Sequence, residues 1–170
     1  MRIFELDINN AHIVIVAKMM ERIKPDWWSF DSALIAITAP DIIGWYMGES
    51  FDTPIGFIHV KELKGYGCIE LENFGFDDNG VFHTGEKMAI LFNKVEQYAL
   101  ENGSRSVRVT ITYHKEFSHS KTAINYAEEL SNIKSNNYLI LNRNYRPAGF
   151  IPDCYGADYH GLMILKYLYE

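Results

Sequence analysis

Two carboxylates, Glu70 and Glu72, stand in the alternating stretch Ile69-Glu-Leu-Glu72. Side chains two residues apart on a strand point the same way, so if Ile69 and Leu71 face a core, both carboxylates face the opposite side. Beside a cleft, such a carboxylate can accept a proton as general base; on a bare strand it is a solvated polar face. The histidines suggest no metal site. His114 and His119 are five apart, and His12, His59, His83 and His160 are scattered. Neither Cys68 nor Cys154 falls at a zinc spacing, and two cysteines build no disulfide framework, so reduced thiols and no metal are expected. Nothing supplies Cys154 with a partner base, and it reads as a buried, inert thiol. Gly-x-Ser-x-Gly, Walker and dinucleotide fingerprints are absent.

The elements around these residues alternate between strand and helix. Ile3–Ile8 reads as a strand, and Asn9 or Asn10 can cap a helix running to about Ile23, which Pro25 stops. Phe30–Thr38 is a second short helix ended by Pro40. Ile42–Gly48 and Pro54–Val60 form a hairpin around the polar turn 49–53, and Gly65 and Gly67 punctuate the entry to the strand Cys68–Phe76. Met88, Leu91, Phe92, Val95 and Ala99 repeat at helical spacing, with Thr84 as N-cap and Gly103 as the terminating glycine. The β-branched run Ser106–Thr112 is the next strand, so residues 68–112 imply a parallel or crossover connection. Helices over Lys121–Ile133 and Asn136–Tyr145 follow, then strands over Gly149–Cys154 and Gly161–Leu168.

The chain has 170 residues, 48% hydrophobic and 14% aromatic, enough for one globular domain spanning 1–170. The net charge of −6 argues against nucleic acid as a partner. The apolar run 11–17 is too short to span a bilayer and lacks the flanks of a signal peptide, so no membrane and a cytoplasmic location are expected.

From about residue 40 onward the order of elements resembles the GNAT acyltransferases. The resemblance rests on Pro54-Ile-Gly-Phe-Ile58 as the third strand and on the strand Cys68–Phe76 followed by a loop and the helix near Gly85. It also rests on Tyr145-Arg-Pro-Ala-Gly-Phe150 as the late Tyr-x-x-x-Gly-Phe signature and on His160–Leu168 as the last strand. The fold so implied is α/β (α+β), a central mixed, mostly antiparallel sheet with a splayed parallel strand pair and flanking helices. The activity implied is N-acetyl transfer from acetyl-CoA to a primary amine by direct attack. The acceptor is a small molecule or a peptide, and a homodimer is the expectation for the oligomeric state.

The resemblance assigns roles residue by residue. The backbone of Phe74, Gly75 and Phe76 would meet pantetheine. The loop Val81, Phe82, His83, Thr84, Gly85 with Glu86 would cradle the pyrophosphate at a helix start, where orphan N–H groups and the helix dipole favour anions. Tyr145 would protonate the departing thiolate, and Glu72 or Glu70 would take the proton of the incoming ammonium, with Glu72 nearer the thioester. Packing on the core is the competing role for Tyr145. The loop departs from the family's Arg/Gln-x-x-Gly-x-Gly/Ala. Gly80 stands at the polar position, His83 replaces the inner glycine, and Asp77, Asp78 and Glu86 face only Lys87 and His83. Arg143, Arg146, Lys115 and Lys121 are the cations that could offset this charge. That departure keeps a second reading open, a catalytically degenerate GNAT-fold binding or regulatory module. A third is an unrelated α/β domain. The long stretch Thr112–Ser135 with Trp27, Trp28 and Trp45 would shape the acceptor pocket; core or dimer packing is the other role for the tryptophans.

Overall fold

The stripe that marks the long helix is fully internal: Leu91, Phe92, Val95 and Ala99 have no exposed surface and Met88 has 3%. In the computed structural model, which describes residues 1–77, 86–114, 138–151, 153–155 and 159–169, this helix is α3 (Glu86–Glu101). Its end follows the sequence signal. Gly103 takes φ 73°, the Ser104 N–H returns to the Ala99 carbonyl at 2.8 Å, and the Gly103 N–H returns to Leu100 at 3.1 Å. These are the two bonds of a Schellman cap, which needs a residue tolerant of the left-handed region.

The chain divides into two units, Met1–Ser104 and Arg105–Glu170. The first holds β1 (Arg2–Glu5), α1 (His12–Ile23), α2 (Phe30–Thr38), β2 (Ile42–Gly48), β3 (Pro54–Leu63), β4 (Cys68–Phe76) and α3. Each of β1 to β4 pairs antiparallel with the next. Tyr46 and Phe57, opposite each other in the β2–β3 ladder, join a core with Ile13, Val16, Ala17 and Met20 of α1 and with Ala33 and Ile37 of α2. The adjacent pair Trp45 and Ile58 must point to the other face. There Trp45 meets the Tyr98 ring of α3 at 5.2 Å and Phe74 meets Phe92 edge-on at 5.4 Å. Thus α1 and α2 cover one face of this sheet and α3 the other.

The helix ends explain themselves locally. Ser29 and Ser32 form a reciprocal capping box at the start of α2. Asn10 accepts the His12 N–H at 3.1 Å, yet the residue at the cap position of α1 is Ala11, which has no capping side chain. The first strand stops at Glu5, short of the expected Ile8, and β3 runs on to Leu63.

The second unit holds β5 (Ser106–His114), α4 (Tyr138–Arg143), β6 (Arg146–Ile151) and β7 (Tyr159–Tyr167). Within it β7 is flanked by β5 and β6, antiparallel to both. Val107, Val109, Leu162 and Ile164 are its buried centre. Two expectations need correction here. The segment expected to be helical to Tyr145 ends at Arg143, because Asn144 adopts φ 60° and turns the chain out of the helix; Asn tolerates that region. The following strand therefore begins at Arg146, three residues before the expected Gly149. The expected helix Lys121–Ile133 and the cap Thr84 lie outside the described residues.

Candidate active site

The strand β4 carries the candidate base, and its register changes there. Lys61 of β3 stands opposite Glu70 and Val60 opposite Leu71, but His59 stands opposite Asn73, so Glu72 is the residue inserted by a β-bulge. Residues directly opposite share a face. Glu70 and Asn73 therefore lie with Lys61 and His59 on the α1–α2 side, and Leu71 and Phe74 lie with Val60 and Ile58 on the α3 side. Simple alternation from Glu70 to Glu72 is interrupted. Glu72 is exposed and Glu70 half-buried.

Beyond the bulge come the three residues assigned to pantetheine. Phe74 is opposite Ile58, Gly75 opposite Phe57 and Phe76 opposite Gly56. Gly75 lies under the end of α1: a Cβ there would sit 2.9 Å from the Phe57 ring and 3.4 Å from Ile23 Cγ2. The same close packing recurs at Gly56, where a Cβ would sit 2.5 Å from the Phe76 ring. Asp77 then leaves the strand. Its N–H donates to the Ile55 carbonyl at 2.7 Å, and its carboxylate accepts from the Arg22 guanidinium in the last turn of α1. Val81, Phe82, His83, Thr84 and Gly85 lie outside the described residues; Glu86 opens α3, and its side chain is not described.

The candidate acid is in the second unit. Tyr145 is 1% exposed and follows the left-handed Asn144; its N–H donates to the Leu139 carbonyl at 3.1 Å. This loop closure, together with Pro147 and the β6–β7 pairing of Phe150 with Leu162, fixes the backbone that carries the phenol.

Two features near β4 had no sequence signal. His59 is 1% exposed, and among the described residues neither ring nitrogen has a hydrogen-bond partner. Its ring lies 5.0 Å from that of Phe57, and a Cβ on Gly44, opposite it in the ladder, would sit 2.7 Å from its Cδ2. Burial holds its pKa down at about 3, so the imidazole is neutral. The other feature is the Arg22–Asp77 pair, which joins residues far apart in sequence.

The remaining aromatic and thiol groups sort by burial. Trp45 is packed at 2% exposure against Tyr98, whose hydroxyl donates to Glu62 at 2.8 Å. Desolvation, then that carboxylate, push the Tyr98 phenol up to about 12. Trp28 packs on the α1–α2 core, while Trp27 is 56% exposed with the Lys24 ammonium 4.5 Å from its ring centre. Cys154, expected to be buried, is exposed, and both thiols are unbridged. Among the described residues no cluster of three His, Cys, Asp or Glu is placed to hold a metal, and no helix is long and apolar enough to cross a membrane.

Comparison with known proteins places this architecture. No family model and no curated protein matches the sequence. Solved structures do match the fold. The aminoglycoside 6'-N-acetyltransferase from Enterococcus faecium superposes with a TM-score of 0.76 at 17% identity, over 100% of this chain and 98% of that one. An aminoglycoside 6'-N-acetyltransferase complexed with coenzyme A gives 0.74 at 17% identity, over the same shares of the two chains. A putative acetyltransferase of the GNAT family from Desulfovibrio desulfuricans gives 0.67 at 10% identity, over 98% of each chain. The fold is the GNAT fold, the mixed α/β architecture of these acetyltransferases.

Proposed function

We propose that the chain is an N-acetyltransferase that moves the acetyl group of acetyl-CoA to a primary amine by direct attack. The observation that carries this reading is the likeness of fold over the full chain to an acetyltransferase complexed with coenzyme A. The neutral amine nitrogen attacks the thioester carbonyl, the carbon–sulfur bond breaks, and the thiolate leaves. Glu72, projected by the bulge, takes the proton that the ammonium must lose, directly or through water. Tyr145 gives its proton to the sulfur. Positioning of the two substrates and backbone hydrogen bonds to the carbonyl oxygen share the remaining work. The resemblance gives the backbone of Phe74, Gly75 and Phe76 to pantetheine, and the segment 81–86 to the pyrophosphate.

A cationic, amine-rich acceptor suits a chain of net charge −6, as it suits the aminoglycosides named for the structural neighbours. The cytoplasm is the compartment that goes with this reading. Thermal unfolding with and without acetyl-CoA tests the donor. At about 100 times its dissociation constant a ligand adds roughly 2.7 kcal/mol, raising the midpoint by about 5–10 °C for a domain of this size. A folded protein with no shift at millimolar acetyl-CoA would overturn the reading in favour of a binding module.

A further inference from the structure

His59 takes no part in the reaction proposed above, yet it is 1% exposed and neither ring nitrogen has a hydrogen-bond partner among the described residues. Alternation along β3 puts it on the face of Phe57, which α1 and α2 cover. A Cβ on Gly44, across the ladder, would meet the imidazole at 2.7 Å and Leu6 at 3.0 Å, and Leu6 packs against the same α1–α2 core. The ring therefore lies in the seam between the sheet and the helical layer, over a position of β2 that carries no side chain.

The groups that face this seam leave a second proton on the ring without a partner. On the sheet, Asn73 stands opposite His59, Lys61 with Glu70 one rung to one side, and Tyr46 with Phe57 one rung to the other. Lys61 lies 3.8 Å from Asp41, and burial, then Asp52, raise the Tyr46 phenol, so it stays uncharged. The helices turn Ile13, Val16, Ala17 and Met20 of α1 and Ala33 and Ile37 of α2 to the core. Of their charged groups, His12 lies 3.7 Å from Asp52, Glu21 accepts the Phe30 N–H at 3.1 Å, and Lys18, Arg22 and Asp31 are exposed. Lys24, after α1, holds its ammonium 4.5 Å from the centre of the Trp27 ring. An imidazolium in the seam would be a buried cation with no hydrogen-bonded counter-ion.

Protonation is thus tied to separation of the layer. The closed form stays neutral down to a pKa of about 3, whereas an imidazole open to water titrates at 6.5. The helices α1 and α2 pack on each other and on this face, while α3 packs on the opposite one. The layer can therefore part from the sheet without α3 losing its own contacts.

We propose that His59 is a proton-sensitive latch: as pH falls, its protonation opens the α1–α2 layer while β2, β3, β4 and α3 keep their packing. The face so uncovered carries Glu70 and Asn73, on either side of Glu72 in β4. The latch holds whichever acyl donor the protein uses.

Native-state hydrogen exchange of the whole chain tests it, with rates corrected for the intrinsic pH dependence of amide exchange. Amides of α1 and α2 should open about thirtyfold more at pH 5 than at pH 7.5, from one group that titrates at 6.5 when open and near 3 when closed. Their opening should depend little on dilute urea, because it exposes little surface, while α3 amides exchange more slowly and with the full urea slope. In His59→Gln, a polar side chain that does not titrate, the pH dependence of the layer should vanish; His59→Leu is the second variant. Amides of α1 and α2 that open in step with α3, at one urea slope, would overturn the proposal. So would a pH dependence that persists in both variants. A wild-type proton spectrum that shows His59 as imidazolium in the folded protein at pH 5 would overturn it without any variant.

Discussion

Tyr145→Phe is expected to lower kcat for acetyl transfer by about 10²–10⁴-fold, the usual worth of a positioned general acid or base, while the protein stays folded. The variant keeps the ring of a residue that is 1% exposed, so no cavity forms and the Asn144 turn with its Tyr145 N–H bond to Leu139 is untouched. What it removes is the hydroxyl proposed to protonate the leaving thiolate. Glu72→Gln is the companion: the residue is exposed, so its loss costs little stability. It should cut turnover by a similar factor and remove the acid limb of the kcat/KM profile, because a carboxylate base must be ionised to act. Turnover measured with a working amine acceptor decides the matter. Rates unchanged in both variants would return Tyr145 to core packing and Glu72 to a solvated strand face.

Acid should weaken the fold through His59, the second large effect. Its pKa is about 3 in the folded protein against 6.5 for the free imidazole. Between those values the unfolded chain binds a proton that the folded chain refuses, so stability is full above pH 6.5 and falls as pH drops toward 3. The slope from one such group reaches about 1.4 kcal/mol per pH unit. By pH 4.5 the loss is about 3 kcal/mol, a large part of an ordinary domain's 5–15 kcal/mol. His59→Leu removes the titration and two buried polar atoms without partners among the described residues. Urea unfolding of both proteins at pH 7.5 and pH 5 should show the variant gaining stability over wild type as pH falls. An advantage that is the same at both pH values would refute the assignment. Lys61 and Glu70 share the sheet face of His59, so variants of either should shift this slope only modestly.

How much of this was written in the sequence differs from element to element. The α3 stripe and its glycine terminator, the β2–β3 hairpin and the β4 strand were all legible, because each depends on local periodicity and turn chemistry. The bulge at Glu72 was not. It arises from two strands of unequal residue count pairing over one span, and alternation within β4 gives no hint of it. Asn144 does carry a sequence signal: Asn can end a helix in the left-handed region, which is why Tyr145 follows α4 and is not part of it. Pro147 did not stop β6 from forming, since within its unit that strand pairs on one side only. The Arg22–Asp77 pair and the dry setting of His59 come from tertiary packing alone. The GNAT resemblance gave the fold, yet the Arg22 that pairs with Asp77 lies on a helix that the resemblance did not reach.

The pairing of β1 has a consequence for how the chain assembles. The strands β2, β3 and β4 are joined by short turns, so their ladders can zip with little loop entropy to overcome. β1 reaches β2 only across both α1 and α2, and it contributes four residues at the margin of its unit. Within its unit its contacts close the longest loop for the smallest ladder, so they form late and come undone first. The amide protons of Arg2 to Glu5 should be the earliest in this sheet to trade with solvent, and the amino-terminal strand is then the point at which the α1–α2 layer loosens, with the cation at the far end of α1 still in its place.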